Sequence, residues 1–301
     1  MKSNGSPTER VGAPVFFVAP QTDCHELGEA PTMNLAILTS VETRHRYFAQ
    51  AIRAHLPVAA VAYEETGYTP ADTDAYDLTD DEESVVSAHF AERARQEEAY
   101  FGHNAAFVES RGNCTVRRLS PGTLNSPETL SFLEDAGLDT VVVYGTNLIK
   151  PPLLSWRPGR MINMHLGLSP YYRGTATNFY PLLNEEPEYV GATIHLLDEG
   201  IDSGAILRHA RPKIVAEDMP HTIGAKAILA GIEAMIAVLR DLEQGRLEPV
   251  PQWTVPHPRF YLRKDYHPRE IVELYKKIDG GLIRQYVERA KDAAARVRVV
   301  E

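Results

Sequence analysis

Cysteine is scarce in this chain: Cys24 and Cys114 are the only two among 301 residues. Two thiols build neither a disulfide framework nor a metal-ligand cluster, so a reducing, cytoplasmic setting is expected. No run approaches the roughly 20 consecutive apolar residues of a membrane span. The opening MKSNGSPTERVGAP also lacks the apolar core of a secretory signal. No membrane association is expected. Positive charge is short as well, the formal net charge being -10. Nucleic-acid binding draws much of its affinity from Lys and Arg on phosphates, so a polyanionic partner is disfavoured. The short basic runs VRRL (116–119) and RVRVV read as solvated surface. Missing too are the glycine-rich phosphate loops. ILTSVETRH after the first strand fits no dinucleotide or Walker pattern, and no Gly-x-Ser-x-Gly elbow supports a serine hydrolase.

What is present is an ordinary globular composition and an alternating pattern. With 44% hydrophobic and 24% charged residues, the chain can fill one large α/β core with an extension to spare. Residues 1–32 read as a partly disordered extension, in which PVFFVAP (14–20) could add an edge strand. From Met33 the order is strand (34–40), helix (43–56) and strand (58–63), a β-α-β opening that implies a parallel sheet. Residues 65–82 are acidic and turn-rich and read as a surface loop. A helix is expected over 83–101. Its Arg93, Arg95, Glu97, Glu98 face reads as solvated and ion-paired, with the wall of a substrate cleft as the alternative. Ser126-Pro127 opens a further helix, and DTVVVY (139–144) is a buried strand. Then come a short strand at 160–164, a helix at 175–184, a hairpin of 190–197 with 205–214, and an amphipathic helix at 220–244. Residues 33–245 are taken as the catalytic domain. Residues 246–301, Pro-rich at first, form an appendage ending in one helix over 268–295.

Two segments collect polar residues just past apolar strands, where open α/β sheets place their ligands. In the first, Asn163 and His165 stand two apart at a strand end, so their side chains share a face. In the second, Asp198-Glu199-Gly200-Ile201-Asp202-Ser203-Gly204 is a turn whose glycines allow close backbone approach. An aspartate there, beside a histidine, would orient and charge the imidazole. From the residues alone, a structural histidine and a plain turn stay open. A metal on Asn163, His165, Asp198 and Asp202 is conceivable, but one histidine with oxygen ligands is poor for zinc.

Taken in order, five pieces carry more: Gly145 to Ile149, Asn163-Met164-His165, Ser169 to Gly174, Gly191 to His195, and Asp198 to Gly204. In sequence and spacing they resemble the core of the folate-dependent formyltransferase family, closely over 139–214 and more loosely over 33–245. The resemblance implies a Rossmann-like α/β fold with a mostly parallel sheet, and an enzyme that moves a formyl group from 10-formyltetrahydrofolate to an amine. It implies that Tyr144, Gly145, Thr146, Asn147, Leu148 and Ile149 meet the cofactor together with Leu197, Asp198, Glu199, Gly200 and Ile201. Asn163 would donate to the tetrahedral oxyanion, His165 would stabilise it and shuttle the proton, and Asp202 would orient and charge His165 or assist proton removal from the amine through water. No metal is required.

Departures from the family pattern bear on the acceptor. Methionyl-tRNA formyltransferases carry a C-terminal barrel longer than the segment after Gly245. Glycinamide ribonucleotide formyltransferases have a phosphate-binding glycine loop where this chain has SVETRHRY. Formyltetrahydrofolate hydrolases carry a regulatory domain longer than the segment before Met33. A small-molecule amine, on an amino-sugar nucleotide or a specialised metabolite, is therefore expected, with tRNA formylation or hydrolysis as alternatives. Ser169, Tyr171, Tyr172, Arg173, Thr175 and Asn178 would line the acceptor pocket, Arg173 facing an acidic group. A homodimer is allowed but not demanded.

Overall fold

The computed structural model describes residues 33–65 and 76–301. The segment 1–32, with its edge-strand candidate at 14–20, and most of the acidic stretch lie outside the described residues. The chain begins as expected: β1 (Leu35–Ser40), α1 (Thr43–Arg53) and β2 (Val58–Glu64) form a parallel β-α-β unit. The next helix, α2 (Asp80–Phe101), starts inside the stretch read as loop. Its start is fixed by a capping box: Thr79 Oγ1 accepts from Glu82 N–H and Glu82 Oε2 accepts from Thr79 N–H, satisfying two otherwise orphaned amides.

Then follow β3 (Thr115–Leu119), α3 (Pro127–Asp135), β4 (Thr140–Tyr144), α4 (Leu153–Trp156) and β5 (Met161–Leu166). The VRRL run read as bare surface is in fact β3, paired in parallel with β2 along its one inner edge. An edge strand can keep Arg117 and Arg118 exposed while its backbone is bonded. Beyond β5 lie β6 (Tyr172–Gly174), α5 (Tyr180–Leu183), β7 (Ala192–Leu196), β8 (Ile206–Ala210) and α6 (Pro220–Glu243). The helix expected over 175–184 shrinks to α5, because 175–179 is pinned as a loop by side chains. Thr177 Oγ1 donates to Leu166 O, and Asn178 Oδ1 accepts from Gly191 N–H.

The seven-stranded sheet runs β3-β2-β1-β4-β5-β7-β8, parallel through β5 and antiparallel at β7 and β8. It is the mostly parallel, helix-flanked α/β fold expected. Because side chains alternate along strands, the sheet has two cores. Ile162 and Met164 of β5 pack with α1 and α6 on one face. Met161 packs with Val141, Val143 and Leu133 on the α3 face. Asn163 and His165 follow the parity of Met161. The helix α6 is long and apolar enough to cross a membrane by composition. Its apolarity is explained by burial: Ile232, Met235 and Leu239 lie in the α6-face core.

The tail is woven into this body. β9 (Arg259–Tyr261) pairs in parallel with β6, Val250 bridges to Ile206, and Val300 N–H donates to His209 Nδ1. The single final helix is two, α7 (Pro268–Asp279) and α8 (Leu282–Ala295). Gly281 between them sits at φ +91, a left-handed conformation that ends a helix and suits glycine.

Candidate active site

β5 and β7 build the site between them. Their antiparallel register sets Asn163 opposite His195 and His165 opposite Thr193. The carboxylate comes from the turn after β7. Asp202 adopts φ +49, a left-handed backbone that aspartate tolerates better than most residues. It is fixed from three directions. Its Oδ2 accepts from Gly174 N–H at 2.9 Å, and its carbonyl accepts from Gln252 Nε2 at 2.7 Å. The same Oδ2 lies 3.3 Å from His165 Nδ1. Asn163, His165 and Asp202 therefore come together as one cluster, His165 being 6% exposed.

The sequence reading assigned His195 no role, although it lies in the Gly191 to His195 segment. Its Nδ1 stands 2.8 Å from Leu196 O. A carbonyl only accepts, so Nδ1 carries the proton and Nε2 presents a lone pair. Asn163 Nδ2 donates to that nitrogen at 3.1 Å, which fixes the amide with one N–H remaining. Asp202 Oδ1 is 3.7 Å from the same Nε2, an electrostatic neighbour beyond hydrogen-bond range.

His165 faces acceptors at both ends: Asp202 Oδ2 at Nδ1, and Tyr172 O at 3.1 Å from Nε2. Two acceptors favour the doubly protonated ring, whereas burial favours the neutral one. Burial is the larger effect and Asp202 offsets part of it, so the imidazole titrates below its usual range. Asp202 shows the opposite balance. Burial alone would raise it, but His165 and the Gly174 N–H hold the carboxyl well below the usual carboxylate range. The result is an ionised aspartate against a histidine able to gain and lose one proton.

The loop of residues 145–149 and the turn of 197–201 flank this cluster. Ile149 and Leu197 pack against the same α3-face core, which draws the two segments together. Gly145 holds φ +75, and a Cβ there would fall 2.1 Å from His45 Nε2. The loop's anchor is one that sequence reading missed: buried Glu64, at the end of β2. Its Oε2 accepts from Asn147 N–H at 2.7 Å and its Oε1 from Asn147 Nδ2 at 2.9 Å. Leu148 projects, 56% exposed. Thr146 Oγ1 donates to Asn147 O.

Several sequence-predicted contacts have other work. Tyr144 turns its ring to His45 and Phe48 on the α6 face, because strand alternation points it away from Asn163. Asp198 Oδ1 accepts from Gly200 N–H and Ser203 Oγ, so it shapes its own turn, with Glu199 and Ile201 between. Ser169 is fully buried. Tyr171 bonds Arg298 through its hydroxyl. Tyr172 donates to Glu186 and accepts from Asn184. Arg173 lies over the Phe260 ring. These four hold the wall made by β6 and the tail. Thr175 and Asn178 instead line a cavity of about 610 Å³ that starts at Leu166 and runs between α2 and α6. Arg93, Gln96 and Glu97 of the supposedly solvated α2 face also line it, whereas Arg95 is exposed and paired with Glu92.

The family model described as "Formyl transferase" matches residues 73–239. This chain belongs to that family. Methionyl-tRNA formyltransferase of Synechococcus sp. (strain JA-3-3Ab) is 38% identical over 134 residues, 44% of this chain and 41% of that one. The protein of the same name from Caldanaerobacter subterraneus subsp. tengcongensis is 32% identical over 139 residues, 46% of this chain and 45% of its own. The chain thus matches less than half the length of these curated relatives. Among solved structures, a sugar N-formyltransferase from Shewanella sp FDAARGOS_354 superposes with a TM-score of 0.51 at 18% identity, covering 80% of this chain and 86% of that one. Glycinamide ribonucleotide transformylase 1 from Symbiobacterium toebii gives 0.51 at 19% identity, covering 75% and 98%. At such identities the likeness is one of fold.

Proposed function

We propose that the chain transfers a formyl group from 10-formyltetrahydrofolate to the amine of a small molecule. The observation that carries this is the contact of Asp202 Oδ2 with His165 Nδ1, with the Asn163 amide on the same face. When bound, the folate would supply the formyl carbon. The residues near the site suit such a guest: 145–149 offers no charge, and Ile149 and Leu197 offer an apolar floor beside Gly145 for a flat ring system.

The chain's own groups divide the remaining work. The Asn163 N–H not given to His195 can donate to an oxygen that gains negative charge as an amine attacks a carbonyl, typically about 3 kcal/mol for one such donor. His165, titrating low, is neutral at pH 7 and can take the amine's surplus proton; it can return that proton to the leaving nitrogen. Asp202 stays ionised and stabilises the imidazolium while it exists.

The test is to incubate the purified protein with 10-formyltetrahydrofolate and a panel of amines, following formylated product by mass spectrometry and formate in parallel. Amine-dependent product supports the reading, whereas steady formate release without any amine makes the protein a hydrolase. A second reading, formylation of methionyl-tRNA, draws support from the 32–38% identity of the aligned core to enzymes of that name. Aminoacylated initiator tRNA therefore belongs in the panel.

A further inference from the structure

The tail reaches the cluster of Asn163, His165 and Asp202 from two sides. Gln252 does so directly: its Nε2 donates to Asp202 O at 2.7 Å and to Gly204 O at 3.0 Å. Two acceptors at one end fix which way the amide points, because only its nitrogen can donate to a carbonyl. One side chain therefore ties Asp202 to Gly204 across the turn that presents the carboxylate. Val250 sets the register of that side chain, exchanging both backbone bonds with Ile206 at 2.8 Å, just past the turn. Gln252 lies beyond the family match, which ends at residue 239.

The second approach is through β6. Backbone groups of successive strand residues point to opposite edges, and β6 uses both. Toward the tail, Tyr171 O accepts from Arg259 N–H and Thr175 N–H donates to Tyr261 O, each at 2.8 Å. Toward the cluster, Tyr172 O lies 3.1 Å from His165 Nε2, and Gly174 N–H donates to Asp202 Oδ2 at 2.9 Å. So β9 holds the strand that holds the pair. Asp202 itself has φ +49, and a residue other than glycine keeps such a backbone only where its surroundings impose it. Gly174 steadies the carboxylate, whereas the main chain at Asp202 answers to Gln252.

From this we infer that Gln252 is a positioning residue of the site: by gripping the turn at Asp202 and Gly204, it keeps the carboxylate opposite His165 Nδ1. The inference rests on the reading that the cluster moves a formyl group, and it adds a residue which that reading does not use. Gln252 acts through Asp202 rather than on a reacting atom. Without its two bonds the turn is free to relax out of the left-handed conformation, and the 3.3 Å contact of Oδ2 with Nδ1 lengthens. Misplacement of a catalytic pair on that scale slows the chemical step more than it weakens binding.

Gln252→Met keeps the length of the side chain and removes its donor. In the full chain labelled with 15N-histidine, the His165 ring signals are identified by their absence in His165→Gln. At pH 7 Gln252→Met should move them in the direction that Asp202→Asn moves them. With an amine that the wild type formylates, kcat should fall about 10–100-fold, while KM for donor and amine stays within about threefold. Added to Asp202→Asn, the same change should cost less than about threefold more, because residues that act as a unit are not additive. General loosening would multiply the two losses. Gln285→Met, whose amide meets Gly280 O on the surface of the tail, should move neither signal nor rate. Circular dichroism checks folding. If Gln252→Met does not fold, Gln252→Glu, which at pH 7 can donate to neither carbonyl, carries the same expectations. Unmoved His165 signals in a folded variant, a kcat within about threefold of wild type, or fully multiplied losses would overturn the inference. A wild type that transfers no formyl group, but whose His165 signals shift with Gln252→Met, removes the transfer reading and leaves Gln252 assigned. Transfer that Gln252→Met leaves unchanged does the reverse.

Discussion

Replacing Asp202 by asparagine is the most informative single change. Asparagine keeps the shape, and its oxygen can still accept from Gly174 N–H, so the turn should survive. What is lost is the charge. At the 3.3 Å separation of Asp202 Oδ2 from His165 Nδ1, two full charges at an effective dielectric of 20 interact by about 5 kcal/mol. Some of that is recovered by relaxation and water, since the Asp202 side chain is 14% exposed. A loss of roughly 3–4 kcal/mol in the step that forms the imidazolium corresponds to a kcat lower by about 10²–10³-fold. His165 should also move. Asp202 is the main influence raising its pKa against burial, so in the variant the ring titrates lower still. The assay is formyl transfer at saturating amine from pH 4 to 9, with circular dichroism to confirm folding. A variant within threefold of wild type, with an acid limb in the same place, would refute the role given to Asp202.

Three further outcomes follow from the same geometry. On the proposed mechanism the active form of His165 is the neutral one, and burial holds its pKa below the usual 6.5; kcat/KM should therefore hold constant through neutral pH and fall only below 6.5, and an acid limb at 7 or above would contradict a buried base. Glu64→Ala frees the Asn147 backbone and amide and should raise KM for the formyl donor about tenfold with kcat nearly unchanged, which titration over donor concentration resolves; a change confined to kcat would show that Glu64 is not a loop anchor. Asp218, 6% exposed, receives Lys226 Nζ at 2.6 Å and 2.7 Å and the Val215 N–H at 2.8 Å; Asp218→Ala, which removes the partner of a half-buried ammonium and of a backbone amide, should cost about 1–3 kcal/mol in urea unfolding, and a loss below 0.5 kcal/mol, on the order of a surface change, would mean water replaces the carboxylate freely.

Local pattern exposed the parts of this molecule that are locally determined. The apolar runs of β1, β2 and β4 and the stripe of α6 follow from periodicity, because burial on a sheet or beside it dictates them. Asn163 and His165 could be paired for the same reason, two residues along one strand. The helix from 268 to 295 could not be split in advance, since the stripe continues across Gly280-Gly281 and only the backbone angle of Gly281 breaks it. β3 hid behind its arginines, because an edge strand owes its existence to one neighbour. The partners of the site were hidden by distance along the chain. His195 meets Asn163 from 32 residues away and Gln252 reaches Asp202 from 50. Glu64 meets Asn147 across 83. No local period records such contacts; they exist only once β5, β7 and the tail are docked.

The alternation of β5 has a consequence for how such an enzyme can diversify. With Asn163 and His165 on the α3 face and Ile162 and Met164 packed on the α6 face, one strand carries both the polar cluster and part of the larger core. The two sets alternate residue by residue, so a substitution that repacks the α6 face need not touch the polar side chains. Packing and chemistry on β5 could then drift separately.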